Sequence, residues 1–134
     1  MKWNYKLLIA VVAGVLAGAA GDSAIHGQQV KTPPVFVISE ANEITDPAAI
    51  KNYGAKVGET FTPFNGHYHF VVRGGKTESL DGDAPPQGIV VIQFDNSEQA
   101  HAWYNSPAYA AIRPIRLAAV KGRMFIVEGV AQAQ

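Results

Sequence analysis

Three short runs in this chain stay apolar where a half-buried strand would alternate: Val35-Phe36-Val37-Ile38, Ile89-Val90-Val91-Ile92 and Met124-Phe125-Ile126-Val127. Successive strand side chains point to opposite sides of a sheet, so these runs place apolar groups on both faces. A sheet built from them needs cover on both sides, and the rest of the chain must supply it.

The segments between the runs have recognisable periods. Val35 to Ala41 reads as a first strand, rich in β-branched residues. Thr45-Asp46-Pro47 then offers an N-cap and a proline at the first helical position. Ile50, Tyr53, Val57 and Phe61 recur at helical spacing and predict an amphipathic helix over residues 47–61. Gly54 and Gly58 each weaken that helix by about 1 kcal/mol and point to close approach to the sheet. Pro63 ends it, Asn65-Gly66 turns the chain, and His67 to Arg73 forms a second strand.

After Gly74-Gly75, Lys76 to Leu80 either extends that strand or starts a hairpin arm, and Asp81-Gly82-Asp83 with Pro85-Pro86 is a loop. Gly88 to Phe94 is the clearest strand of the chain. Ser97 is expected to cap a helix that carries Ala100, Trp103 and Tyr104 on one side. Asn105-Ser106-Pro107 breaks it and caps a further helix at once, from Ala108 to about Val120, with a kink expected at Pro114. Lys121-Gly122 is expected to end this helix, and Arg123 to Glu128 is the last strand.

The order β-α-β-β-α-β predicts an α+β, ferredoxin-like split fold: an antiparallel four-stranded sheet with two helices on one face. Helices on one face leave the other apolar face bare. The simplest cover is a second copy, sheet against sheet, in a two-fold homodimer.

Composition narrows the function classes. Eleven basic residues balance eleven acidic ones, so no field steers nucleic acid or an anionic membrane to this chain. Cysteine is absent, which excludes a disulfide scaffold, a thiolate nucleophile and thiolate metal ligands. No cofactor is implied, and a membrane enters only through the first segment. There, Lys2 and Lys6 precede the uncharged run Leu7 to Gly21, followed by small residues, as in a secretory signal. As a helix that run spans about 22 Å, short of the roughly 30 Å hydrocarbon core. Residues 1–27 are therefore expected to be a signal peptide, cleaved or kept as an anchor, for a periplasmic or secreted protein. Residues 28–34 follow as a flexible lead-in, 35–129 as the domain and 130–134 as a tail.

Several motifs resemble one family as a set. These are Arg73-Gly74-Gly75-Lys76, the strand Gly88 to Phe94, and Ala102-Trp103-Tyr104-Asn105-Ser106-Pro107 with Tyr109. Arg113 and Arg116 follow, then Phe125-Ile126-Val127-Glu128-Gly129. Together they resemble the domain-of-unknown-function 1330 family of the dimeric α+β barrel superfamily, over roughly residues 35–129. The resemblance implies the ferredoxin-like fold, the dimer, and a pocket between helices and sheet of the kind that holds small organic molecules. It implies no particular activity.

Four groups of residues carry candidate chemistry. His67 and His69 lie two apart on one strand, a spacing at which both imidazoles share a face with Val71 and Arg73. They are weak metal candidates, since a third ligand is needed and Arg73 on the same face opposes a cation. Arg113 and Arg116, with Tyr109, lie on neighbouring positions of one helix side and could clamp a carboxylate. The plain alternative is an exposed pair at a helix end. Trp103, Tyr104 and Tyr109 with Tyr53 and Phe61 either line an apolar pocket or fill the core. Glu40 and Glu128, acids on neighbouring apolar strands, could act as a general base if buried. Arg73-Gly74-Gly75 does not open a helix and is not a phosphate loop.

The expectation is an exported, dimeric domain that binds a small aromatic or carboxylate compound. One version is a cofactor-independent enzyme: His67 or Glu40 moves a proton, Tyr104 donates a hydrogen bond, and Arg113 or Arg116 holds the anion, beside Tyr109, Trp103 and Arg73. The rival is a non-catalytic periplasmic binding or stress module.

Overall fold

The computed structural model describes residues 32–131, so the expected leader and the start of the lead-in lie outside the described residues. Four strands form one antiparallel sheet in the order β2-β3-β1-β4: β1 Val35–Ile44, β2 Tyr68–Arg73, β3 Gly88–Phe94 and β4 Val120–Glu128. Helices α1 (Pro47–Val57), α2 (Ser97–Tyr104) and α3 (Pro107–Ala119) connect them, with a 3₁₀ stretch, Gly58–Phe64, after α1.

The caps follow the sequence with one shift. The Asp46 carboxylate accepts from the Ala49 N–H at 3.0 Å and opens α1, and the Ser106 hydroxyl accepts from the Tyr109 N–H at 3.2 Å and opens α3. At α2 the cap is Asn96, whose side chain accepts from the Gln99 N–H at 2.9 Å, and Ser97 is the first helical residue. Lys121-Gly122 does not end α3 but lies inside β4. Gly122 is there because a Cβ would collide with the Glu40 carbonyl across the β1–β4 ladder. Gly54 and Gly58 make no close approach; a Cβ at either would meet nothing within 4 Å.

The register sorts the strand residues into two faces. Val35, Val37, Ile92 and Phe94 face the helices and form one buried cluster with Phe61, Ala100, Trp103 and Tyr109. Trp103 is fully buried, stacks on Phe61 at 4.7 Å between ring centroids, and donates its indole N–H to the Thr60 hydroxyl at 2.9 Å. The opposite face carries an uninterrupted apolar row across all four strands, Val72–Val91–Ile38–Phe125. Phe125 and Val127 there are 36% and 44% exposed.

Candidate functional site

Helix α3 begins at a proline and presents Tyr109 and Arg116, seven residues or two turns apart, on its buried side. Arg116 is only 7% exposed. Its Nε–H donates to the Tyr109 hydroxyl at 3.3 Å, and that oxygen also accepts from the Tyr53 hydroxyl at 3.2 Å. Tyr109 in turn directs its proton toward the Met124 sulfur at 3.9 Å. Burial holds the Tyr53 phenol far above its ordinary value of 10.0; Tyr109 adds to the rise and the Arg116 guanidinium opposes it. Tyr53 therefore stays protonated throughout the neutral range.

Tyr53, Arg116 and Met124 wall a cavity of about 230 Å³ between the sheet and α1. Its floor is the strand row Arg73–Val90–Ser39–Met124, and its roof includes Ile50, Tyr53, Gly54 and Val57 of α1. Phe61 and Trp103 close the end toward the aromatic core. Apart from its two arginines and Tyr53 the lining is apolar or uncharged, and no carboxylate, imidazole or amine lines it among the described residues. No ion pair reaches Arg73, Arg113 or Arg116 among the described residues.

The expected site residues divide between separate places. Arg116, Tyr109, Trp103, Arg73, Tyr53 and Phe61 gather at or around this cavity. Arg113 does not join Arg116: its guanidinium lies 4.8 Å over the Tyr104 ring. The two positions are only about 60° apart around the helix, but Arg116 leans inward to Tyr109 and Arg113 leans out over Tyr104. Tyr104 lines a second hollow instead, with His101, Asn105 and Ile126.

His67 and Glu40 lie elsewhere as well. The His67 Nδ1–H donates to the Asp95 carboxylate at 2.7 Å, and both side chains are 54% exposed. His69 lies across from Gln93 on the bare face, and no group of three or more His, Asp or Glu converges among the described residues. Glu40 is on the bare face too, where the Arg123 guanidinium donates to it at 2.7 Å. Antiparallel pairing sets Glu40 against Arg123 in the middle of the β1–β4 ladder and Glu128 against Val35 at its end, so the two acids stand well apart. The proton carriers named from the sequence thus do not converge with Tyr104 or Arg116.

Arg73 shares no face with His69, contrary to plain alternation. A bulge between Phe70 and Val72 shifts the β2–β3 register, pairing Val72 with Val91 and Arg73 with Val90. Sequence reasoning also passed over Ser39 and Met124 as cavity residues and treated Tyr53 only as an apolar wall. The seven-residue step from Tyr109 to Arg116 is the signal that could have placed the arginine inside.

The family model described as Domain of unknown function (DUF1330) matches residues 34–130. No curated protein matches the chain. Among solved structures, a protein of unknown function from Rhodopseudomonas palustris is similar at 16% identity and a TM-score of 0.59, covering 81% of this chain and 92% of its own. A hypothetical Arabidopsis thaliana protein is similar at 14% identity and a TM-score of 0.54, covering 81% and 98%. A dimeric ferredoxin-like protein of unknown function from Thermobifida fusca is similar at 16% identity and a TM-score of 0.50, covering 78% and 96%. At these identities the likeness establishes the ferredoxin-like fold alone.

Proposed function

The chain belongs to the domain-of-unknown-function 1330 family, and from that premise we propose that its helix–sheet cavity binds a small apolar molecule through a carboxylate held by Arg116. One observation carries the reading. Arg116 is a buried guanidinium facing an apolar cavity, with a phenol rather than an acid as its protein partner. An uncompensated buried charge costs several kcal/mol, a cost that an anionic ligand would offset. A guanidinium fork fits a carboxylate in two-point geometry. At about 230 Å³ the cavity exceeds one of roughly 150 Å³ that holds a benzene ring, leaving room for an acid group.

The cavity lining favours binding over proton-transfer catalysis. It presents hydrogen-bond donors and no group that accepts a proton at neutral pH among the described residues. This supports the non-catalytic version over the one in which His67 or Glu40 moves a proton.

Two variants test the reading from opposite sides. Arg116→Gln should weaken small aromatic acids by at least about tenfold, or 1.4 kcal/mol, in calorimetric titration. Gly54→Leu should place bulk in the cavity while removing a helical glycine. It should hold or raise the melting temperature while abolishing binding. A full set of aromatic acids that bind Gly54→Leu as well as wild type would overturn the proposal.

The bare face supports a second copy as its cover. It carries an apolar row across four strands, and the Thermobifida fusca structure is described as dimeric. Export is likewise a proposal, supported by the basic start and apolar run ahead of residue 22. Expressed with its full sequence, the protein should fractionate outside the cytoplasm; retention inside would refute it.

A further inference from the structure

Arg73 is the second cation of the cavity, and its presence there depends on a defect in the sheet. Phe70 faces the helices opposite Ile92. With unbroken alternation Val72 would follow onto the same face, and Arg73 would turn to the bare one. The bulge intervenes, so that Val72 lies opposite Val91 and Arg73 opposite Val90, in the row that continues to Ser39 and Met124. Bulges of this kind re-aim a side chain. The Gly74 N–H donates to the Ile89 carbonyl at 3.1 Å and fixes the backbone just past the arginine. Gly74 takes a positive φ of 61°, which a side chain would resist.

The Arg73 guanidinium lies 4.8 Å over the Phe70 ring, and Phe70 is itself a wall of the cavity. Arg73 is exposed where Arg116 is buried, so one cation stands at the rim and the other inside. Three strand spacings, roughly 14 Å between backbones, separate Arg73 from Met124 below Tyr109 and Arg116. Between them the lining is apolar apart from Ser39 and Tyr53.

We propose that the ligand is an apolar molecule with an anionic group at each end, the inner one held by Arg116 and the outer one by Arg73. This rests on the cavity reading above and names its ligand class. The sign of the effect makes it testable. In an apolar pocket with a single cation, a second carboxylate costs desolvation and weakens binding. With a cation at each end, it strengthens binding.

Calorimetric titration of the full-length protein with straight-chain monocarboxylates from pentanoate to nonanoate, and with the matching dicarboxylates from pentanedioate to nonanedioate, reads that sign. At least one dicarboxylate should bind about tenfold tighter than the monocarboxylate of equal length. Arg73→Gln should cancel that advantage while leaving monocarboxylates within about twofold. Monocarboxylates binding as tightly at every length would overturn the two-ended ligand and leave the Arg116 site standing. So would a dicarboxylate preference that survives Arg73→Gln. Binding by neither series would sink the cavity reading and this inference together.

Discussion

The two faces of the sheet start from the same kind of residues and end in different physical states. On the helix side, Val35, Val37, Ile92 and Phe94 are at most 3% exposed, and aromatic rings fill one end of the layer. The other end of that layer stays open and holds the two arginines. On the far side, Ile38, Val91 and Phe125 form a flat apolar row with no cover among the described residues, edged by the Glu40–Arg123 pair. Apolar character by itself therefore marks a need for cover and not its source. One face is covered from within the chain, and for the other the proposed cover is a second copy.

Trp103→Ala should give the largest change, because it strikes the covered face. The side chain is fully buried, stacks on Phe61 and satisfies Thr60. The expected loss is about 3–5 kcal/mol in chemical denaturation, independent of protein concentration. A loss below about 1 kcal/mol would mean that this face is no better packed than the bare one.

Phe125→Asp probes the other side of the comparison. Removing one large apolar contact from each subunit should cost on the order of 2 kcal/mol or more of association free energy. Sedimentation equilibrium at micromolar concentration should show wild-type dimer and a monomeric, still folded variant. A wild-type monomer under those conditions, or a variant that still pairs, would show that the apolar row is not the interface.

Tyr53→Phe should have the smallest effect, confined to high pH. Its folded phenol titrates above the ordinary 10.0, so the unfolded chain loses the proton first as pH rises. The wild type's stability from this group is complete below about pH 10 and declines above it, by up to about 1.4 kcal/mol per pH unit. The variant should lack that part of the decline. Identical alkaline profiles for the two proteins would place Tyr53 in contact with solvent rather than in the cavity wall.

Much of the fold was legible because it rests on local chemistry. Asp46-Pro47 and Ser106-Pro107 start helices where their caps and fixed φ allow, and Gly88 to Phe94 is a strand to the residue. The cap of α2 was misplaced by one residue, since Asn96 and Ser97 are adjacent and both can accept from the backbone. The site was less legible. Of the residues grouped from the sequence, Arg116, Tyr109 and Trp103 lie together, whereas Arg113 and Tyr104, which neighbour that helix side in sequence, lie apart from them. Arg73 was assigned to the wrong face by strict alternation, which one extra residue in the strand inverts.

The sequence by itself determined the element order, the helix starts and the demand for cover on both sides of the sheet. Each depends on residues near one another in the chain, through capping, fixed dihedrals or periodicity. Only the tertiary structure decided which polar groups share a space. The bulge turning Arg73 inward, the Tyr53–Tyr109–Arg116 contacts and the outward placing of His67 and Glu40 all arise from pairings across distant segments. Side-chain chemistry is local, but the cavity that has a guanidinium group at each end exists only once α1, α3 and three antiparallel ladders have closed around it.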